Sequence, residues 1–373
     1  MNGRDIEANH SLILFDSCDT LQQEFLSLEK PSDVSKLLKV PYGLLIYHLY
    51  KVPNGQKYKQ FYIPKKSGGL RRISSPITAL KIVQRKLSQV LYCAYKPKAS
   101  VHGFVPGRSI VTNAEQHVRK RYVFNLDIAN FFDSIHFGRV RGIFMAPPYR
   151  RPPEVSTVLA QICCFDNKLP QGAPTSPVVS NMVCTRLDSQ LRLLAKENCC
   201  TYTRYADDIT FSTSVPRFPA AIAYKTDKDN AISIGEKLRS IIEENGFSVN
   251  FEKVRLQHRH QHQEVTGLTV NQFPNVDRRF VREISSMLYA WQKYGLASAH
   301  QERIRKRIEK LQEEYVTISE KEISEIEFPP FEEVLRGKIN FLRMVRGKDN
   351  DIYRKYLQWY RKLSCPDDIG GLM

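Results

Sequence analysis

The sequence predicts an α+β protein on three observations: short runs with strand alternation, capped amphipathic helices between them, and a final stretch that is helical and basic. In YVFNLDI, Tyr122, Phe124, Leu126 and Ile128 fall on one face of a strand and Val123, Asn125 and Asp127 on the other, which puts Asp127 at the strand's end on its more polar side. In the stretch opening SPVV, Ser176 as N-cap and Pro177 at the first helical position start a helix carried on by Val179, Met182, Val183, Leu187, Leu191 and Leu194. Beyond about Asn275, Phe280, Ile284, Leu288 and Trp291, then Ile304, Ile308 and Leu311, recur at helical spacing as core stripes.

The remaining elements follow from the same signals. Val52 to Pro76 reads as two strands joined by a Gly-rich basic turn, a hairpin that carries Lys65, Lys66, Arg71 and Arg72. Thr78 to Tyr95 has a helical period through Leu80, Val83, Leu87, Val90 and Leu91. A helix is expected near Ala231 to Asn245, ended by Gly246, with strands at FSVNF and EVTGLTV.

Composition bounds the partner. The chain has 373 residues, 42% hydrophobic and 25% charged, which is enough for a sizeable core and two or three packed subdomains. Fifty-six Lys and Arg against 39 Asp and Glu leave a formal charge of +17, which favours a polyanion. No apolar run approaches the ~20 residues of a spanning helix, and the start lacks a basic leader with a cleavage site, so no membrane partner and a cytoplasmic location are expected. Nucleic acid is the leading partner class. The eight cysteines include two adjacent pairs and no C-x-x-C spacing, which predicts buried free thiols in a reducing compartment.

The stretch TYTRYADDITFS sets Asp207 beside Asp208. In a regular strand the two would point to opposite faces, but a tight hairpin at Ala206 to Asp208 relaxes that limit. Asp207 can then join Asp127, with Asp208 beside it, turned partly away by the alternation. Clustered carboxylates repel unless cations neutralise them, and hard oxygen donors suit Mg²⁺. Two such ions serve nucleotide transfer. Taken alone, an Asp-Asp hairpin is more often a solvated turn.

The setting changes that weighting. Asp127 in NLDIANFFDSI, LPQGAPTSP at Leu169 to Pro177 and YADD at Tyr205 to Asp208 stand in order, with GLRRISSP before them and NFEKV and VTGLTV after. In these motifs the chain resembles a reverse transcriptase over roughly Lys51 to Val270. NAEQH at Asn113 to His117 and the VTG of Val265, Thr266 and Gly267 resemble the hallmarks of one branch, the bacterial retron reverse transcriptases.

The resemblance implies a right-hand polymerase: an extension at 1–40, fingers at 41–121, an antiparallel palm at 122–270 with a fingers insertion at about 139–170, and a helical basic thumb at 271–373. It implies two Mg²⁺ ions on Asp127, Asp207, Asp208 and the backbone carbonyl of Ile128. Phe132 matches a steric gate that favours deoxynucleotides, and Gln171 and Gly172 the segment against nucleotide and template. Lys65 and Arg71 match triphosphate-holding cations, with Lys66 and Arg72 as neighbouring alternatives. Lys253 matches a proton donor to pyrophosphate. The implied partners are a cognate noncoding RNA serving as template and primer, deoxynucleoside triphosphates, the RNA–DNA product and a separately encoded effector. The implied activity is branched, RNA-linked DNA synthesis primed from a guanosine 2'-hydroxyl in anti-phage defence. The rivals are another prokaryotic reverse transcriptase, intron-like, and a non-catalytic RNA-binding scaffold.

Several residues carry two readings each. Asn113 and His117, four apart on one helical face, are either a structural polar pair or an RNA contact. His258, His260 and His262 in HRHQH share one side of a possible strand, which suits a metal less well than a solvated hairpin. Arg303, Arg305, Lys306 and Arg307 form a basic face for RNA or duplex phosphates where a charge run is otherwise only solvated.

Overall fold

The computed structural model describes residues 12–64, 70–226, 231–314 and 328–364, so Lys65 and Lys66 lie outside the described residues. The chain divides into two compact units, residues 1–261 and 262–373.

In the first unit β1 (Tyr58–Pro64) and β2 (Leu70–Pro76) form an antiparallel hairpin. The strand expected from Val52 is shorter than that: a π-helical turn over Tyr47–Lys51 and a short helix over Asn54–Lys57 precede it. The unit's main sheet is antiparallel in the order β4–β5–β3–β8, from β3 (Tyr122–Ile128), β4 (Thr201–Tyr205), β5 (Asp208–Thr213) and β8 (Val249–His258). A further hairpin pairs β6 (Ala223–Lys225) with β7 (Ile232–Ile234). Residues 232–234 were expected in the following helix, which instead spans Glu236–Glu244 and ends before Gly246 at φ +69.

Period-two alternation gives the main sheet two unlike faces. Phe124, Leu126 and Ile128 of β3 and Ile209 and Phe211 of β5 are buried in one core with Val179, Leu187 and Leu191. The opposite face carries Asp127, Asn125, Asp208, Thr210 and Ser212, because the register pairs Asp127 with Asp208, Asn125 with Thr210 and Val123 with Ser212. The long helix predicted from Ser176 is two, Ser176–Val183 and Thr185–Glu197, parted at Cys184.

Helix Thr78–Ala94 buries Leu80, Val83, Leu87, Val90 and Leu91 as its period predicts. Helix Cys18–Leu26 packs on it and brings the Cα atoms of Cys18 and Cys93 to 5.2 Å in a disulfide, which corrects the expectation of free thiols for that pair. Cys163 and Cys184 are free and buried, whereas free Cys199 is exposed.

The second unit opens with a minimal hairpin, β9 (Glu264–Val265) and β10 (Leu268–Thr269), turned by Thr266 at φ +48 and Gly267 at φ +80. Two successive positive φ values are the requirement of a type I′ turn, where Gly is at home. Among the described residues three helices follow, Arg278–Glu314, Phe331–Arg346 and Asp351–Ser364, the first broken at Gly295. Ile284, Leu288 and Trp291 are buried as predicted, with the Trp291 ring edge-on to Phe331 and Tyr360, while Ile304 and Ile308 are only half-buried. Among the described residues no helix is long and apolar enough to cross a membrane.

Candidate active site

The acids meet where β3 ends and the β4–β5 hairpin turns. Tyr205 pairs with Asp208, so Ala206 and Asp207 alone make the turn, with Ala206 in the left-handed region at φ +56. The Ile128 N–H donates to the Asp207 carbonyl at 3.0 Å, tying the turn to β3. Asp208 stands directly opposite Asp127, and cross-strand partners project on the same face. Strand alternation therefore does not turn Asp208 away from Asp127 as expected.

The electrostatics follow from this crowding. Burial and then the charge of Asp127 raise the carboxyl of Asp207. Crowding by protein atoms, then Asp207 and Asp127, push Asp208 up to about 7, although its surface is open to solvent. Both groups resist ionising first because protein atoms displace their water and then because carboxylates stand beside them.

Lys253 answers part of this charge. Pairing between β3 and β8 jumps from Asn125–Arg255 to Asp127–Asn250, so five residues of β8 advance against two of β3. Such bulges re-aim side chains. Here Lys253 Nζ reaches Asp127 Oδ2 at 2.7 Å. Burial works against its charge, but the hydrogen bond and charge of Asp127, with Asp207 and Asp208 behind it, outweigh that and raise its pKa.

Among the described residues no three His, Cys, Asp or Glu side chains close on one point as metal ligands do, and this holds for the HRHQH histidines. The donor set at the acids nevertheless fits a hard divalent cation: oxygen donors only, with Asp207 and Asp208 both raised by burial and by neighbouring carboxylates.

The surroundings are tightly fitted. A Cβ on Gly103 would lie 2.3 Å from Ala206 N, so only glycine lets this backbone rest on the turn. Gly172 has φ +118, and its added Cβ would meet Ile73 Cγ2 at 2.8 Å. The neighbouring Gln171 carbonyl accepts from Ser74 N at 2.8 Å, joining the loop to β2. Arg71, also on β2, lowers the Asp207 carboxyl by its charge. Phe132 is half-buried, its ring 5.3 Å from Phe131 and 6.3 Å from Phe104.

Other candidates lie elsewhere. Helix Ile110–Glu115 ends before His117, so Asn113 and His117 do not share a helical face. Both are buried, and the His117 ring spans Thr203 Oγ1 and Ser212 Oγ at 2.7 Å each, on the polar face of the main sheet. Their burial speaks against an RNA contact, and the partners of His117 are Thr203 and Ser212 rather than Asn113, so the two do not form the structural polar pair either. In the second unit Val265 is fully buried and its side chain cannot meet RNA, whereas Gly267 is exposed. Arg305 and Lys306 pair with Glu302, Arg305 also with Glu309, and Arg303 donates to the Pro329 carbonyl, so acids temper this basic face.

Sequence reasoning missed the buried pair of Arg204 and Asp188, whose Nε and Oδ1 are 2.7 Å apart with both side chains at 0% exposure. A signal was present. Asp188 lies between the core residues Leu187 and Leu191, and Arg204 shares a strand face with Tyr202, so each is a charge at an apolar position.

A family model described as reverse transcriptase (RNA-dependent DNA polymerase) matches residues 63–271. The Retron Mx65 reverse transcriptase of Myxococcus xanthus is 36% identical over 279 residues, 69% of this chain and 62% of its own length. The Retron Mx162 reverse transcriptase of the same organism is 35% identical over 239 residues, 59% of this chain and 48% of its own. For the Retron Ec86 reverse transcriptase of Escherichia coli the identity is 29% over 260 residues, 69% of this chain and 76% of its own length. The chain thus spans less than two thirds of the two Myxococcus relatives.

Proposed function

We propose that this chain, which belongs to the reverse transcriptase (RNA-dependent DNA polymerase) family and within it to the bacterial retron reverse transcriptases, is an RNA-directed DNA polymerase. The observation that carries this is Asp127 opposite Asp208 at one end of the main sheet, with Asp207 in the adjoining turn and Lys253 on Asp127. A primer hydroxyl attacks the α-phosphate of a deoxynucleoside triphosphate, forming the new P–O bond as pyrophosphate leaves. Asp127 and Asp207, with Asp208 and the Ile128 carbonyl, would hold two Mg²⁺, which when bound neutralise the acids and favour loss of the hydroxyl proton. Lys253, kept protonated by three acids, supplies a proton to the leaving pyrophosphate. Arg71, with Lys65, holds the triphosphate, and Phe132 bars a ribose 2'-hydroxyl.

The first hairpin and its helices then act as fingers, the main sheet with residues up to 270 as palm, and the helices from Arg278 on as a thumb on the product duplex. The template is a cognate structured noncoding RNA, the first primer a guanosine 2'-hydroxyl within it, and the product branched RNA-linked DNA in the cytoplasm, serving anti-phage defence with a separate effector. The net charge of +17 suits such a partner.

The test is to purify the chain with its bound RNA, add deoxynucleotides and Mg²⁺, and treat the product with a debranching enzyme. A debranching-sensitive RNA–DNA joint is expected, and it should be absent from Asp207→Asn. Linear DNA alone would indicate an intron-like enzyme, and no DNA from the wild-type chain a binding scaffold.

A further inference from the structure

We propose that Arg204 is a positioning residue whose buried guanidinium fixes the backbone of the turn that presents Asp207. This rests on the reading of Asp207 as a catalytic acid. Arg204 lies two residues before Ala206, on the core side of β4, and its donors are divided between two jobs. Nε and Nη2 grip Asp188 Oδ1 and Oδ2 at 2.7 and 2.8 Å, and Tyr202 donates to the same carboxylate at 2.7 Å. Nη1 donates to the Ala206 carbonyl at 3.0 Å, and Nη2 also reaches Asn181 Oδ1 at 3.1 Å. Asn181 in turn donates to the Gly103 carbonyl at 2.9 Å.

The Ala206 carbonyl is the peptide oxygen immediately before Asp207, so one guanidinium joins helix Thr185–Glu197, the 103 backbone and the turn. Alanine in the left-handed region is disfavoured and will not hold that conformation unaided. The Gly103 backbone lies close against Ala206 N and Tyr205 C, while Nη1 holds the Ala206 carbonyl.

A purely stabilising role explains this arrangement poorly. Well-packed apolar residues generally serve stability as well as a buried ion pair does. They cannot donate to a turn carbonyl. Lysine cannot replace the fork either, because its single nitrogen lacks the planar spread of donors that reaches Asp188 and Ala206 together. Small displacements of reacting groups cost rate steeply, so a loosened turn should slow chemistry while leaving the binding surfaces intact.

The experiment compares full-length wild type, Arg204→Lys, the double variant Arg204→Met with Asp188→Leu, and Asp207→Asn, each purified with its RNA, by steady-state nucleotide incorporation, nucleotide KM, RNA retention and thermal melting. Arg204→Lys should lose about 10- to 100-fold in kcat with KM and RNA retention changed by less than about threefold. It should also need more Mg²⁺ for half-maximal rate. The double variant replaces the buried ion pair by apolar residues and removes the donor to the Ala206 carbonyl, so it should show the same split and decides the matter if Arg204→Lys does not fold. A folded Arg204→Lys, or in its absence the double variant, with wild-type kcat and Mg²⁺ dependence beside an inactive Asp207→Asn would overturn the positioning role alone. An active Asp207→Asn would overturn the catalytic reading and this proposal with it.

Discussion

Lys253 and Asp127 form a 2.7 Å ion pair across the interval where β8 bulges against β3. The lysine is half-exposed, so its loss should little affect folding. Lys253→Met should slow single-turnover incorporation by about 100-fold, the low end for losing a general acid. Lys253→Arg, which keeps a charge but donates a proton poorly, should retain RNA and remain slow. Wild-type rates in both would remove Lys253 from the chemistry.

Gly103→Ala tests the fit of the turn. The new Cβ would sit 2.3 Å from Ala206 N and 2.8 Å from Tyr205 C, both backbone atoms that cannot swing aside. Overpacking of this kind costs about 1–3 kcal/mol. The expected result is a lower melting temperature together with a rate loss of about tenfold or more, because the displaced backbone carries Asp207. Alanine tolerated at full rate would contradict the geometry.

His117 predicts acid sensitivity. Burial first, then His102 and Lys120, lower its pKa from 6.5 to about 3, so the folded ring is neutral where the unfolded one takes up a proton. Its contribution is complete above pH 6.5 and drains away as pH falls toward 3. Linkage puts the loss at about 2 kcal/mol between pH 7 and pH 5. Urea titrations of wild type and His117→Gln should show a flatter pH dependence in the variant, and parallel slopes would refute the assignment.

Phe132→Ala addresses sugar choice. The ring is half-buried with Phe131 and Phe104 behind it, so truncation opens space without emptying the core. The ratio of ribonucleotide to deoxynucleotide incorporation should rise, measured by competing the two on one primed RNA. An unchanged ratio would end the gate reading.

The acids were legible in the sequence because short-range rules place them: alternation puts Asp127 at the polar end of β3, and β-branched flanks bracket the turn at Asp207. What was misread depends on distant partners. Asp208 takes its side from the register with β3, and the burial of His117 from hydroxyls 86 and 95 positions away. Cys18 and Cys93 are 75 residues apart with no spacing motif to join them. Ile232–Ile234 is three residues against a helix, too short for a period of two to show. The charged pair of Arg204 and Asp188 was visible only as two violations of apolar faces, each unremarked alone.

The two-residue loop between β4 and β5 also serves as a ruler. With Tyr205 paired to Asp208 there is no slack, and one inserted residue would slide β5 by a single place against β4. Such a slip exchanges the two faces of a strand, taking Ile209 and Phe211 out of the apolar core and turning Asp208 into it. Loop length at this corner therefore sets at once which face of β5 enters the core and where its acids stand.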